Sequence, residues 1–460
     1  MRYEEFLESK KIISKPVGFK AGELNPLLFD FQADITRWGT QKGRAAVFAG
    51  TGLGKTFVEL VWSDQVHKQT GGNVLILAPL AVSQQTVREG QKFGIKVNLC
   101  RTQADVKPGI NITNYEMLEH FDASEFVGIV PDESSILKAL DGKTRALLIE
   151  TFANTPYKLA CTATPAPNDY MELGGHAEFL GICKHTEMLS MFFVHDGGDT
   201  SKWRLKGHAV KAFWEWVASW AVMLTKPSDL GYDDSKFELP PLRMHQEVVK
   251  AESPTEGHLF SIEAQTLQER LAARRSTIGE RVAKVGDIVT GDEKWLIWCN
   301  LNAEQDELAK LFKGRCVSID GQTPDDKKIQ MEKEWREGNV PILITKPKIF
   351  SFGMNWQHCS KEVFVGLSDS FEQVYQAIRR CWRFGQENPV DIYFVTAETE
   401  GAVVRNIERK EKEFNEMLQG MISATQEITR KNLRGTERET DEYNPAVEMK
   451  LPEWLKGEVA

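Results

Sequence analysis

Ala45-Ala46-Val47-Phe48-Ala49-Gly50-Thr51-Gly52-Leu53-Gly54-Lys55-Thr56-Phe57-Val58-Glu59-Leu60-Val61 decides how this 460-residue chain is read. The apolar run at 45–48 has the composition of a buried strand, and 57–61 reads as the start of a helix. Between them lies a Gly-rich loop closed by Gly-Lys-Thr, the strand–loop–helix order of a P-loop. Gly50, Thr51, Gly52 and Gly54 let backbone N–H groups turn inward around phosphate oxygens, and the helix N-terminus adds partial positive charge. Lys55 is expected to reach the outer phosphates and the Thr56 hydroxyl to ligate Mg²⁺. Ala49 stands where the strict pattern has Gly, a mild departure, because only the later glycines need special dihedrals.

A chain of 460 residues is too long for one hydrophobic core, so two or three domains are expected. With 57 basic and 66 acidic residues the formal charge is −9, which argues against a surface coated for nucleic acid but not against a basic channel between domains. Seven cysteines, at 100, 161, 183, 299, 316, 359 and 381, form no C-x-x-C pair, so neither a zinc site nor a disulfide framework is expected. A reducing, cytoplasmic compartment fits that usage. The start, Met1-Arg2-Tyr3-Glu4-Glu5, is unlike a signal peptide, and no apolar run approaches membrane-spanning length.

Strand-like runs alternate with helix-like stretches from about 45 to 165, the clearest being Val74–Ala78, Ile110–Ile112, Val127–Val130 and Lys158–Cys161. A second series follows at Trp295–Trp298, Cys316–Ile319, Pro341–Ile344, Glu362–Val365 and Asp391–Val395. Two parallel-sheet layers with helices on both faces are therefore expected. The stretch between them reads as helix-rich, with Phe213–Leu224 aromatic and helical in period. Beyond 400, Val403, Ile407, Phe414, Met417, Leu418 and Met421 recur at helical spacing. A charged tail from about Gly435 carries Leu451, Trp454 and Leu455, which could dock it back.

The apolar strand at 127–130 runs into Pro131-Asp132-Glu133, a carboxylate pair about 80 residues past the P-loop. Asp132 is suited to hold Mg²⁺ and Glu133 to orient and deprotonate an attacking water. Thr162-Ala163-Thr164 ends the next strand, and its hydroxyls could link the acidic pair to domain movement. Arg380 and Arg383, within Gln376–Gln386, are three apart and on that spacing share a helix face, suiting a polyphosphate in a cleft.

In order and spacing these segments resemble a superfamily 2 helicase, and within it the Swi2/Snf2-like branch. Gln32 resembles the adenine-reading glutamine, Ala78-Pro79-Leu80 motif Ia, Thr113-Asn114-Tyr115-Glu116 motif Ib, Asp132-Glu133 motif II, Thr162-Ala163-Thr164 motif III and Gln376–Gln386 motif VI. The Snf2-like features are Arg383-Phe384-Gly385-Gln386 and the Pro165…Asn168…Glu172-Leu173 run. Two segments depart from the pattern. Ser134-Ser135 follow the acidic pair where Gly-His or Ala-His is common, and motif V, Thr345-Lys346-Pro347-Lys348 leading to Gly353-Met354-Asn355, is longer than usual. The compact chain resembles the short DEAD-like helicases of bacteriophages and prophages.

The resemblance implies two tandem RecA-like α/β domains with ATP and Mg²⁺ between them. The expected division is 1–170 (first domain), 171–290 (helical insertion), 291–400 (second domain) and 401–460 (C-terminal helix and tail). Gly353 and Asn355 are expected beside the nucleotide. Thr113, Thr345, Lys346 and Lys348, with Gln84 and Thr323, are expected on nucleic-acid phosphates. Lys202-Trp203-Arg204-Leu205-Lys206 interleaves aromatic and basic residues, but a solvated loop beside a core tryptophan is the favoured reading. The implied activity is ATP-driven DNA translocation, on duplex more than single strands, in a bacterial cell or phage-infected host. The alternatives are an RNA-dependent ATPase and an ATP-gated factor that remodels replication or recombination proteins without processive movement.

Overall fold

The computed structural model describes residues 14–138, 142–167, 169–196, 199–250, 272, 274–350, 354–367 and 370–434. Seven strands form the first sheet: β1 (Arg44–Ala49), β2 (Asn73–Leu77), β3 (Val97–Leu99), β4 (Ile110–Thr113), β5 (Phe126–Pro131), β6 (Tyr157–Thr162) and β9 (Ala221–Leu224), in the order β3-β4-β2-β5-β6-β1-β9, all parallel. Their composition follows from burial on both faces. Phe48, Leu75, Leu77 and Ile129 point into one core, while their neighbours Val47, Val74, Ile76 and Val130 point into another.

The second sheet holds β10 (Leu242–Val249), β11 (Trp295–Cys299), β12 (Cys316–Ser318), β13 (Ile342–Thr345), β14 (Lys361–Val365) and β15 (Val390–Ala397), ordered β10-β15-β14-β11-β13-β12 and again parallel. Trp298, Leu343 and Phe364 line one face; Ile297, Ile344 and Val363 line the other. Two doubly covered parallel sheets in tandem give the RecA-like pair that the sequence implies.

The intervening stretch is less helical than expected. Phe213–Leu224 breaks in two: a helix, Val210–Ala218, and then β9, which pairs with β1 and closes the first sheet's edge. Leu242–Val249 supplies β10 to the second sheet. β7 (Phe193–Asp196) and β8 (Asp199–Leu205), which carries most of the basic–aromatic segment, pair antiparallel. There Trp203 packs on the His195 ring at 3.7 Å and against the first core. The apolar pattern beyond 400 is a single helix, Gly401–Arg434. Its early turns pack the Phe414 ring at a tilt against Phe371 and edge-on against Tyr375, at 5.5 and 5.6 Å, in the second domain. Its last turns bond the first, with Asn432 Nδ2 donating to Ala218 O and Arg430 Nη2 to Ser228 O, each at 3.1 Å. Gly353, Asn168 and the tail with Leu451, Trp454 and Leu455 lie outside the described residues. No described helix is long and apolar enough to cross a membrane.

Candidate active site

β1 ends directly on the P-loop, and helix Lys55–Thr70 starts from it with Gly54 in the left-handed conformation (φ 74°). Gly52 is also at positive φ, 92°. A Cβ at Gly54 would lie 2.4 Å from Gln32 Nε2, so the loop closes on a position only glycine fills. Lys55 Nζ donates to the Ala49 carbonyl at 3.0 Å, and the Thr51 hydroxyl is buried with no partner among the described residues. A loop of glycine dihedrals, an ammonium resting on loop backbone and an unused hydroxyl together fit a phosphate chain.

Gln32 is buried, and both ends of its amide are engaged: Nε2 donates to Leu53 O at 2.9 Å, and Oε1 accepts from Phe29 N at 3.0 Å. In this arrangement it braces the P-loop instead of presenting its amide to a base. Beside it, Phe237 stacks on Phe384 of the second domain at 4.9 Å, and Phe29 meets Phe237 edge-on at 4.9 Å.

Asp132 and Glu133 sit at the end of β5, beside β6, to which Asp132 is bridged at Cys161. Glu133 is the one described non-glycine residue with positive φ, 54°, backbone strain of the kind that collects where a side chain must be aimed. Thr162 Oγ1 donates to Glu133 Oε2 at 3.4 Å, tying the next strand's hydroxyl to that carboxylate. Burial, reinforced by Glu133, pushes the Asp132 carboxyl up to about 7, against the pull of Lys55. A divalent cation would favour its ionised form, as expected of a metal ligand, and Thr56 lies in the first turn of the helix that begins at Lys55.

Sequence reasoning missed two supporting groups. Glu59, one helical turn beyond Lys55, is fully buried, and burial with Asp132 nearby raises its carboxyl far above the usual range. The Tyr115 hydroxyl donates to the Asp132 carbonyl at 2.6 Å and fixes the turn. The i, i+4 spacing from Lys55 was the available signal for Glu59; none marked Tyr115.

Across the cleft, helix Phe371–Ile378 stops before the arginines. Arg380 and Arg383 therefore do not share a helix face. They lie on successive turns, shaped by Gly385 at φ 88°, yet converge: Nη1 of each donates to the Met354 carbonyl at 3.0 Å. Burial lowers the Arg380 guanidinium to about 9 and depresses that of Arg383, and in both the charge of Glu133 opposes the shift. The turn they occupy rests on the P-loop: a Cβ at Gly52 would lie 2.9 Å from Phe384 N and 3.7 Å from Arg383 Cβ. Asn355 follows Met354, its amide oxygen buried without a partner among the described residues. The structure thus gathers P-loop, acidic pair and arginines at one interdomain cleft.

The residues expected on nucleic acid divide. Thr113 is 1% and Thr345 0% exposed, and the Thr345 hydroxyl is spent on Ile319 O at 3.0 Å. Both end strands inside their sheets, and that burial does not fit a direct phosphate contact. Lys346 and Lys348 do open on a groove: with Asn302, Ser318, Asp320 and Gln322 they line a polar cavity of about 490 Å³ at the C-terminal ends of the second sheet. Lys346 bonds Asn302 Oδ1 there. Thr323 caps its own turn, Oγ1 donating to Asp320 Oδ1 at 2.7 Å. Gln84 faces a smaller interdomain cavity of about 120 Å³ with Arg101, Asn114 and Asp326.

Residues 280–385 match the family model of the helicase conserved C-terminal domain. The match runs from the helix Ile278–Ile288 to the arginine turns, so the helicase resemblance of the motifs has an independent match there. The chain is also similar to a solved SWI2/SNF2 ATPase core of Sulfolobus solfataricus in complex with dsDNA, at 16% identity over 90% of this chain and 99% of that one, with a TM-score of 0.41. No curated protein matches the chain.

Proposed function

We propose that this helicase-type chain hydrolyses ATP between its two RecA-like domains and couples the cycle to movement along DNA. One observation carries the proposal: arginines of the second domain lie over the P-loop of the first and face its acidic pair. Such a composite site is complete only when the domains close, so hydrolysis requires closure, whereas the P-loop holds ATP beforehand.

In this mechanism the P-loop amides and Lys55 hold the phosphates. Thr56 and Asp132 would hold Mg²⁺, which neutralises charge on the phosphate oxygens. Glu133 takes the proton of the attacking water, with Thr162 bonded to its carboxylate. Arg380 and Arg383 offset charge developing on the γ-phosphate, where the fork of a guanidinium serves better than an ammonium. Lys346 and Lys348 bind backbone phosphate without reading sequence. Duplex DNA is the favoured track on the Snf2-like Arg383-Phe384-Gly385-Gln386.

The test is ATP hydrolysis measured with single-stranded DNA, duplex DNA and RNA, using Lys55→Ala as the inactive control. Stimulation greatest by duplex DNA supports the proposal. Stimulation by RNA alone replaces it with an RNA-dependent ATPase. Hydrolysis without displacement of a triplex-forming strand points to a remodelling factor. Wild-type turnover in a folded Lys55→Ala protein refutes the nucleotide site.

A further inference from the structure

The two domains meet at a second place, away from the arginines. Glu372 opens the helix Phe371–Ile378 that leads into the arginine turns. Its Oε1 accepts from Thr164 Oγ1 at 3.2 Å, and its Oε2 pairs with Lys138 Nζ. Thr164 belongs to the turn after β6, and Lys138 ends the short helix Ser134–Lys138 that follows Asp132-Glu133. One second-domain carboxylate thus grips both first-domain segments that flank the catalytic pair.

The side chains of Lys138 and Glu372 are 23% and 17% exposed, so their attraction is less screened than that of a surface pair. They line a polar cavity of about 180 Å³ with Pro167, Ser370 and Lys410. Lys410, on the long C-terminal helix, adds a second positive charge near the carboxylate. Nothing in the nucleotide site requires a carboxylate here: Glu372 is on neither the P-loop nor the acidic turn.

We propose that Glu372 is a positioning residue that latches the closed cleft, holding the helix before Arg380 and Arg383 in register with the acidic turn by bonding Lys138 and Thr164. This rests on the reading above that hydrolysis occurs between closed domains. The latch forms only on closure, so it adds to the closed state and not to the first encounter with ATP. It also gives Thr164 a definite role, since its hydroxyl reports to the second domain the position of the strand whose Thr162 touches Glu133.

Charge reversal tests this in the full-length chain. Glu372→Lys and Lys138→Glu should each lower kcat for DNA-stimulated hydrolysis about tenfold, the weight of one charge-assisted bond, with ATP affinity measured without DNA unchanged. The double variant Lys138→Glu/Glu372→Lys should recover most of the loss. A residue that merely packs would show no such rescue. Small-angle scattering with a non-hydrolysable ATP analogue reads closure independently of turnover: each single variant should stay more open than wild type, and the double variant should close. Single variants that close and turn over as wild type, or a double variant no better than the worse single one, overturn the latch. If wild type itself shows no nucleic-acid-stimulated hydrolysis, the proposed function falls, and scattering still decides the latch.

Discussion

Replacing Arg383 by Ala should uncouple ATP binding from ATP hydrolysis. Arg383 Nη1 donates to the Met354 carbonyl at 3.0 Å, and Arg380 Nη1 donates to the same oxygen. Removing Arg383 therefore orphans no buried acceptor, and the stability cost should stay within about 1 kcal/mol. Arg380→Ala is the less clean experiment, because that residue is fully buried and the loss of its side chain leaves a void. In the transition state the loss is much larger. An arginine supplied across a cleft is worth about 10³ or more in rate, and at 1.36 kcal/mol per decade that is roughly 4 kcal/mol. ATP affinity, set chiefly by the P-loop, should change little. The assay compares binding of a fluorescent ATP analogue with DNA-stimulated turnover in the same preparation, thermal unfolding serving as the control. Arg383→Lys should not restore the rate, since an ammonium cannot reproduce the planar fork. Normal turnover in a folded Arg383→Ala protein would show that this turn leaves the P-loop during the reaction and that the composite site is misassigned.

Glu133→Gln should retain ATP and lose turnover by several orders of magnitude, because the amide keeps the shape but accepts no proton; loss of binding with an unchanged rate per bound nucleotide would refute the base assignment. DNA affinity should fall steeply with salt despite the net charge of −9, and Lys346→Ala/Lys348→Ala should flatten that slope in a salt titration, since each phosphate contact releases counterions. Glu362 is buried in the second core and accepts from Trp298 Nε1 at 2.7 Å; burial raises its carboxyl to about 8. The folded state keeps that proton where the unfolded chain has lost it, so the contribution to stability is full below pH about 4 and disappears as pH rises to about 8. Glu362→Gln should lessen that dependence in thermal unfolding from pH 5 to 9, and an undiminished slope would remove Glu362 as its source.

Much of this was legible because local backbone chemistry leaves little choice. Gly52 and Gly54 announce positive φ, and short apolar runs between helical stretches announce parallel strands. Three features were not legible, each for a physical reason. Ala221–Leu224 continues the apolar run of the preceding helix, and hydrophobicity alone does not separate a buried strand from a buried helical turn. The spacing of Arg380 and Arg383 suits a helix, but their convergence on Met354 comes from turns and a tertiary acceptor that no spacing rule contains. Thr113 and Thr345 have the chemistry of phosphate ligands; only the placement of their strands shows that the sheets bury them.

The helix Gly401–Arg434 sets a bound on what the cleft can do. Its 34 residues make a rod about 50 Å long, seated by Phe414 in the second domain and by Arg430 and Asn432 in the first. At its root, buried Glu400 is clamped by Arg274 at 2.9 Å. Halves joined by such a strut cannot swing apart as on a loose tether, so opening is confined to slippage at the weaker seat. The second-domain end is that seat, because the first-domain end lies along the helices Asp30–Lys42 and Val210–Ala218 and strand β9 besides making its two hydrogen bonds. Under the proposed translocation, the stroke is geared by the shift of one helix over its bed, at most a turn of about 5.4 Å, which suits many short advances over few long ones.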